Sequence, residues 1–132
     1  NKIKILQKNN KASFLFYDKK EKIQLRVHGN TKINYQNNIT KNSWKNTAHL
    51  SRQCYLGENA PGSETLLPTS GLTENIDNFK YTIDESEVGY NNFCVIETLI
   101  DSIEWLYLAA KGHRRAKFLL KNSYVEKKWI IP

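Results

Sequence analysis

Four strand-like runs joined by short turns occupy the last part of the chain, and they constrain its fold more than any other feature. They span Phe93–Ile100, Ser102–Ala109, Arg114–Leu120 and Tyr124–Ile131. Turn signals at Lys111-Gly112 and Asn122-Ser123 separate the later runs. Strands joined by short connections pair antiparallel, because a parallel pair needs a crossover of a dozen or more residues. The sequence therefore predicts an antiparallel sheet at its C-terminal end.

Two further strands are predicted near the start of the chain. Ala12–Tyr17 is a short apolar and aromatic run, typical of a largely buried strand. Glu21–Ile33 alternates: Ile23, Leu25 and Val27 share one face, and Gln24, Arg26 and His28 share the other. A strand with one apolar face and one polar, basic face suits a barrel wall that also lines a site.

The middle of the chain is less regular. Asn37–Leu50 is predicted to be a helix capped by Asn37 or Asn38, whereas residues 51–71 carry Pro and Gly and form a long irregular stretch. Residues 75–91 are acidic, with a short helix around Ile76–Tyr81. Six strands and the helix Asn37–Leu50 indicate a mainly β fold, either a β-barrel with flanking helices or an α+β sheet, rather than a doubly wound fold.

The bulk composition fits one domain over residues 1–132, because 132 residues and 15.4 kDa can bury one core. No apolar run approaches the roughly 20 residues that span a bilayer, and the start lacks a signal peptide pattern. Cys54 and Cys94 lack metal-ligand spacing, so we expect reduced thiols and a cytoplasmic location.

The net charge of +7 permits nucleic acid, an anionic membrane surface or a phosphorylated ligand. The densest basic cluster is Lys111–Lys117, directly beside a predicted strand. His28, His49 and His113 are too scattered for a zinc site. The sequence contains no phosphate-binding loop, dinucleotide fingerprint or serine nucleophile elbow, so the catalytic residues stay unknown.

Three groups of residues, in the same order and over nearly all of the chain, resemble the pyridoxamine 5'-phosphate oxidase family. Lys2 followed by Asn9–Phe16 is similar to the family stretch ending NPRASLLF, and Glu21–Gly29 is similar to its next strand. Ile103-Glu104-Trp105, Arg114–Phe118 and Trp129–Pro132 are similar to its closing IEFW, RLHDRF and RLAP motifs. The resemblance implies a split β-barrel with Greek-key connections and a homodimer that binds FMN at its interface.

The resemblance also implies a set of cofactor contacts. Lys2 matches the lysine that binds the FMN phosphate, Gln24 matches a flavin-binding glutamine, and Lys117 falls at an FMN-contacting arginine. The family's tryptophan falls at Leu106, with Trp105 as the neighbouring alternative on the opposite strand face. The remaining predicted cofactor contacts are Arg26, beside Gln24, and Ser63.

The substrate positions depart from the family pattern, because its Tyr-x3-Arg-x3-Ser motif is missing. The polar candidates are His49, Ser51, Arg52, His113 and Arg115. This departure favours the oxidase-related branch of the family, whose substrates are undefined. In the family an Arg-x-V-x-L strand that contacts FMN precedes the lysine, and since this chain starts at Asn1 without Met, we expect its first strands to be missing here.

The predicted function is therefore an FMN-binding oxidoreductase that oxidises pyridoxamine or pyridoxine 5'-phosphate or another small substrate. The alternative is a non-enzymatic barrel that binds flavin or, through its basic strand face and aromatic residues, single-stranded nucleic acid. Against nucleic acid, Phe14, Phe16 and Trp105 are predicted to lie in the core.

Overall fold

The computed structural model describes residues 2–132 and contains helices, 3-10 helices and one β-sheet. The α-helices are α1 (Lys2–Lys8), α2 (Asn38–Lys45), α3 (His49–Arg52) and α4 (Glu74–Asp77), and 3-10 helices span Gln53–Tyr55 and Glu85–Asn92. The strands are β1 (Lys11–Asp18), β2 (Ile23–Tyr35), β3 (Cys94–Tyr107), β4 (Arg114–Leu120) and β5 (Val125–Ile130). Within residues 2–132, no helix is both long and apolar enough to cross a membrane.

The sheet confirms the predicted antiparallel, mainly β architecture. Its strands lie in chain order, β1-β2-β3-β4-β5, with β1 antiparallel to β2 and β4 antiparallel to both β3 and β5. The five described strands leave β1 and β5 as edges, so the sheet is open in this part of the chain. Each antiparallel pair places directly opposed side chains on the same face.

Three elements differ from the prediction. The two strands predicted over residues 93–109 form one continuous strand, β3, because Asp101 and Ser102 contain no breaker and hydrogen-bond within the sheet. The predicted helix Asn37–Leu50 is divided, since α2 ends at Lys45 and α3 begins at His49. Helix α1 was not predicted, and the predicted helix near Ile76 lies at Glu74–Asp77.

The cap of α2 confirms one of the two predicted cap residues. The Asn37 side chain accepts a hydrogen bond from the Thr40 backbone N–H at 3.0 Å, and the Thr40 hydroxyl accepts one from the Asn37 N–H at 2.9 Å. This reciprocal capping box satisfies two backbone donors that have no partner inside the helix.

The contacts of the chain divide it into two compact units. Unit 1 comprises the residues up to Ile33 together with Ile96–Pro132, and unit 2 comprises Asn34–Val95. Val27 and Ala116 are buried in unit 1, whereas Trp44, Leu56 and Phe93 are buried in unit 2. The single domain predicted over residues 1–132 stays a prediction.

A glycine holds β2 unusually close to β3 within unit 1. A Cβ atom built on Gly29 would lie 2.3 Å from the Leu99 carbonyl oxygen and 2.9 Å from the Thr98 Cγ2 atom. Only a residue without a side chain allows this backbone approach.

Candidate functional site

The sheet of unit 1 has a polar face and an apolar face. The polar face carries Gln24, Arg26, Glu104, Arg115 and Lys117, and the apolar face carries Phe14, Val27, Trp105, Ala116 and Trp129. The register supports this division, because Glu104 opposes Lys117, Leu106 opposes Arg115, and Trp105 opposes Ala116. The polar face of β2 is the one that the alternation of Glu21–Ile33 predicted.

A cleft of about 110 Å³ opens on the polar face. It is lined by Gln24, Arg26, Glu104, Leu106, His113, Arg115 and Pro132. Four of these residues were predicted as ligand contacts, and they come from two separate parts of the sequence, Gln24 and Arg26 from one and His113 and Arg115 from the other. The volume is below the roughly 300–1,000 Å³ of sites that enclose drug-sized ligands. The cleft therefore has room for one group of such a ligand, such as a phosphate or a ring edge.

A carboxylate of this cleft, Glu104, pairs with Arg115 in the lining and with Lys117 beside it. The Arg115 Nη2 atom donates a hydrogen bond to the Glu104 Oε2 atom at 2.6 Å, and the Lys117 Nζ atom lies 3.6 Å from the Glu104 Oε1 atom. The hydrogen bond from Arg115 and the charges of Arg115, Lys117 and His28 lower the pKa of Glu104, against the opposing effect of its partial burial. Glu104 is therefore ionised at neutral pH and pairs with both cations.

The polar face continues toward β1 through a second contact. The Ser13 hydroxyl lies 2.7 Å from the His28 Nδ1 atom, as expected for directly opposed residues of β1 and β2. This pair fixes the His28 ring on the same face as Gln24 and Arg26.

The structure distinguishes the two candidates for the family's tryptophan position. Leu106 lines the cleft. The Trp105 ring lies on the apolar face, stacked 6.2 Å from Tyr107 and edge-on 6.2 Å from Trp129. A flavin contact by Trp105 stays a prediction, and its side chain points away from the face that holds the cleft.

The prediction that the strand aromatics lie in the core is wrong for two of the three. Phe14 and Phe16 are 42% and 55% exposed, because β1 is an edge strand, while Trp105 is only partly exposed. Trp129 on the opposite edge strand is 75% exposed. The outer strands therefore present aromatic surface on the apolar face.

Three other predicted cofactor residues are absent from the cleft lining, and one of them, Lys117, borders the cleft through its ion pair with Glu104. Lys2 begins α1 and is exposed. Ser63 is exposed in the irregular loop of unit 2, where its hydroxyl donates a hydrogen bond to the Ala60 carbonyl oxygen at 2.7 Å. This loop forms a broad depression with Gln53, Tyr55 and Asn92.

The three predicted substrate residues around α3 belong to unit 2. Ser51 is exposed. His49 packs against two aromatic rings, with centroid distances of 4.7 Å to Phe79 and 4.6 Å to Tyr81. Their roles as ligand contacts stay predictions.

Arg52 is buried, and protein groups surround its guanidinium. Its Nη1 atom contacts the Glu87 carboxylate and the Ser86 hydroxyl, and its Nη2 atom donates to the Trp44 carbonyl oxygen at 3.0 Å. The guanidinium carbon also lies 4.6 Å from the centroid of the Trp44 ring, a cation–π distance. With 3% of its surface exposed, Arg52 serves the packing of unit 2.

Glu104 is the site residue that sequence reasoning missed. The only available signal was a carboxylate between apolar neighbours in Ile103-Glu104-Trp105, and such a residue usually faces solvent. Its partnership with Arg115 and Lys117 depends on the register between β3 and β4, which the sequence does not specify.

The architecture is shared with two solved structures. A pyridoxamine 5'-phosphate oxidase-related, FMN binding protein from Nostoc punctiforme PCC 73102 matches with a TM-score of 0.74 and 14% identity, over 99% of this chain and 68% of that chain. PhzG from Burkholderia lata 383, in complex with tetrahydrophenazine-1-carboxylic acid, matches with a TM-score of 0.60 and 12% identity, over 96% of this chain and 61% of that chain.

A scan of family models and a search of curated proteins found no match to the sequence. The present chain spans about two thirds of the length of the two solved structures. The resemblance predicted from the ordered motifs is confirmed in the fold. The chain folds like the split barrels of the pyridoxamine 5'-phosphate oxidase type.

Proposed function

We propose that the cleft on the polar face binds FMN and that the protein is an FMN-dependent oxidoreductase. The observation that carries this proposal is the convergence of Gln24, Arg26, His113 and Arg115 on one cleft. The sequence predicts all four as ligand contacts, Gln24 and Arg26 for the cofactor and His113 and Arg115 for the substrate. The fold shared with an FMN binding protein supports the same ligand.

The donors at the cleft fit the chemistry of a flavin phosphate. Arg115 in the cleft offers a planar fork of N–H donors, and Lys117 beside the cleft lining offers a compact charge, both suited to phosphate oxygens. The Gln24 amide both donates and accepts hydrogen bonds, which suits the mixed donors and acceptors of a flavin ring edge. Leu106 supplies an apolar contact. When bound, FMN would supply the redox chemistry, while these residues bind and orient it.

The substrate in this proposal is a small anion, such as pyridoxamine or pyridoxine 5'-phosphate, held beside His113 and Arg115. A homodimer with FMN at its interface belongs to the same proposal, with Lys2 and Ser63 as further contacts. Cys54 and Cys94 are free thiols, which agrees with the proposed cytoplasmic location.

FMN titration tests the cofactor. We expect the purified protein to retain flavin absorption after desalting and to quench FMN fluorescence. Lys117→Ala and Lys2→Ala should each raise the Kd for FMN roughly tenfold or more, because each removes a charge-assisted contact to phosphate. Lys127→Ala is the matched control, since Lys127 is exposed and lies opposite Phe118 on the apolar side.

Colourless protein that FMN cannot reconstitute would refute the proposal. Unchanged affinity in both lysine variants would show that the phosphate contacts are misassigned. The enzymatic part is tested separately, by adding pyridoxamine 5'-phosphate without oxygen to the FMN-loaded protein. Bleaching of the flavin absorption indicates oxidation of the substrate, and no bleaching excludes that substrate.

Binding of single-stranded nucleic acid is the second candidate, and the exposed rings of Phe14, Phe16 and Trp129 favour it. Such rings can stack on bases. However, they lie on the apolar face, whereas Arg26, Arg115 and Lys117 lie on the polar face, so one strand could not use both at once. Fluorescence anisotropy with a labelled oligonucleotide at physiological salt distinguishes the two functions.

A further inference from the structure

Glu104 is more buried in the cleft than a carboxylate of an ordinary surface ion pair. Its side chain is only 13% exposed, compared with 33% for Glu126, which pairs with Lys128 on the same sheet. Each oxygen of Glu104 faces a different cation, Oε2 toward Arg115 and Oε1 toward Lys117. One carboxylate therefore bridges two cations of neighbouring β4 positions on one face.

This bridge restrains side chains that would otherwise be mobile. Free Arg and Lys side chains carry much rotamer entropy, which a ligand must overcome when it orders them. The bond to Glu104 uses one N–H donor of Arg115, and a guanidinium has four others to offer an anion. An arginine ordered in advance can bind an anion at a lower entropic cost.

We propose that Glu104 is a positioning residue for anion binding in this cleft, holding Arg115 and Lys117 toward the ligand. The inference rests on the proposed function, because the anion in question is the FMN phosphate or an anionic substrate. Glu104 itself does not contact the ligand in this proposal. It acts through the two cations.

The competing interpretation is that Glu104 only neutralises charge. It predicts a change in anion affinity of the opposite sign when Glu104 is replaced. Removal of a negative charge near an anion strengthens the binding of that anion by Coulomb attraction alone. Loss of positioning weakens it. Salt separates the two effects further, because about 1 M salt screens charges beyond roughly 3 Å, while the geometry of a side chain remains.

Two variants separate charge from geometry. Glu104→Gln removes the charge at nearly constant shape, and Glu104→Asp keeps the charge but shortens the side chain by one methylene. We expect both variants to raise the Kd for FMN about tenfold, at low salt and at 1 M salt alike. Glu126→Gln is the matched control, since it breaks an ion pair on the same sheet outside the cleft, and its Kd should be that of the wild type.

The order of the Arg115 guanidinium provides a readout without FMN. In the wild type, its ¹⁵N-detected N–H signals should show restricted rotation and slow exchange with water, and both should be lost in Glu104→Gln and Glu104→Asp. Circular dichroism confirms folding of each variant. If one variant does not fold, the other gives the decision.

Several outcomes would overturn the inference. FMN affinity that stays equal or increases in Glu104→Gln, or stays equal in Glu104→Asp, supports charge neutralisation instead. Arg115 signals that remain restricted in both variants refute positioning whatever the affinity does. If wild-type protein does not bind FMN, the proposed function fails by itself. The Arg115 signals and a titration with inorganic pyrophosphate then decide the role of Glu104 independently, with weaker pyrophosphate binding in the variants as the supporting result.

Discussion

Gly29→Ala is expected to destabilise the sheet of unit 1 strongly, because β2 and β3 leave no room for a side chain there. The added Cβ would lie 2.3 Å from the Leu99 carbonyl oxygen. Carbon and oxygen atoms that meet across neighbouring strands normally stand about 3.3–3.6 Å apart. The two strands must therefore separate locally by about 1 Å.

The loss in free energy of unfolding follows from the hydrogen bonds that this separation breaks. Hydrogen bonds near 2.9 Å would lengthen to about 3.9 Å, so two flanking bonds are lost at roughly 1 kcal/mol each. Residual overpacking adds about 1–3 kcal/mol. The expected total of about 3–5 kcal/mol is a large part of the roughly 5–15 kcal/mol that stabilises a typical domain.

Urea denaturation followed by circular dichroism measures this loss directly. Gly57→Ala is the matched control, because its Cβ would meet only the Asn59 and Gly71 carbonyl oxygens, at 3.5 Å and 3.6 Å. We expect the control to change the free energy of unfolding by less than about 1 kcal/mol. Equal unfolding midpoints for the two variants would refute the close approach of the strands.

Three further predictions concern other parts of the chain. The pKa of Glu104 is lowered from 4.5, so the stabilisation that its carboxylate gives the folded state is complete at neutral pH. This stabilisation is lost as the pH falls below 4.5 through the folded-state pKa. The urea midpoints of wild type and Glu104→Gln should therefore converge at that low pH. Arg52→Met should cost about 2–3 kcal/mol in thermal or urea unfolding, because it leaves the buried Trp44 carbonyl oxygen without its donor and removes the ion pair of Glu87. A loss below about 0.5 kcal/mol would contradict the network. Asn37→Ala should cost about 1 kcal/mol through loss of the capping box, measured in the same way, with no change in FMN affinity.

Local patterns predicted those features of the site that depend on one strand. The alternation in β2 identified the polar side of Gln24 and Arg26, and short turns identified the antiparallel pairing of the last strands. The first signal depends on the period-2 geometry of a strand and the second on the length of the connections, and both are local in sequence.

Features that depend on two segments distant in sequence could not be predicted from local sequence patterns. The choice between Trp105 and Leu106 required the register between β3 and β4. The burial of Arg52 required Glu87, which stands 35 residues away in sequence. The exposure of Phe14 depends on β1 being an edge strand, and strand composition alone cannot distinguish an edge from the centre of a sheet.

The division of unit 1 into two sequence segments has a consequence for folding kinetics. Roughly 60 residues separate β2 from β3, so pairing these strands closes a long loop at an entropic cost of about 3–4 kcal/mol. During synthesis Gln24 and Arg26 emerge well before Glu104 and Arg115, which line the same cleft. The cleft can therefore form only after β4 has left the ribosome, and its assembly should be among the slower folding steps. Because loop entropy grows only logarithmically, shortening the irregular loop of unit 2 should change this rate little.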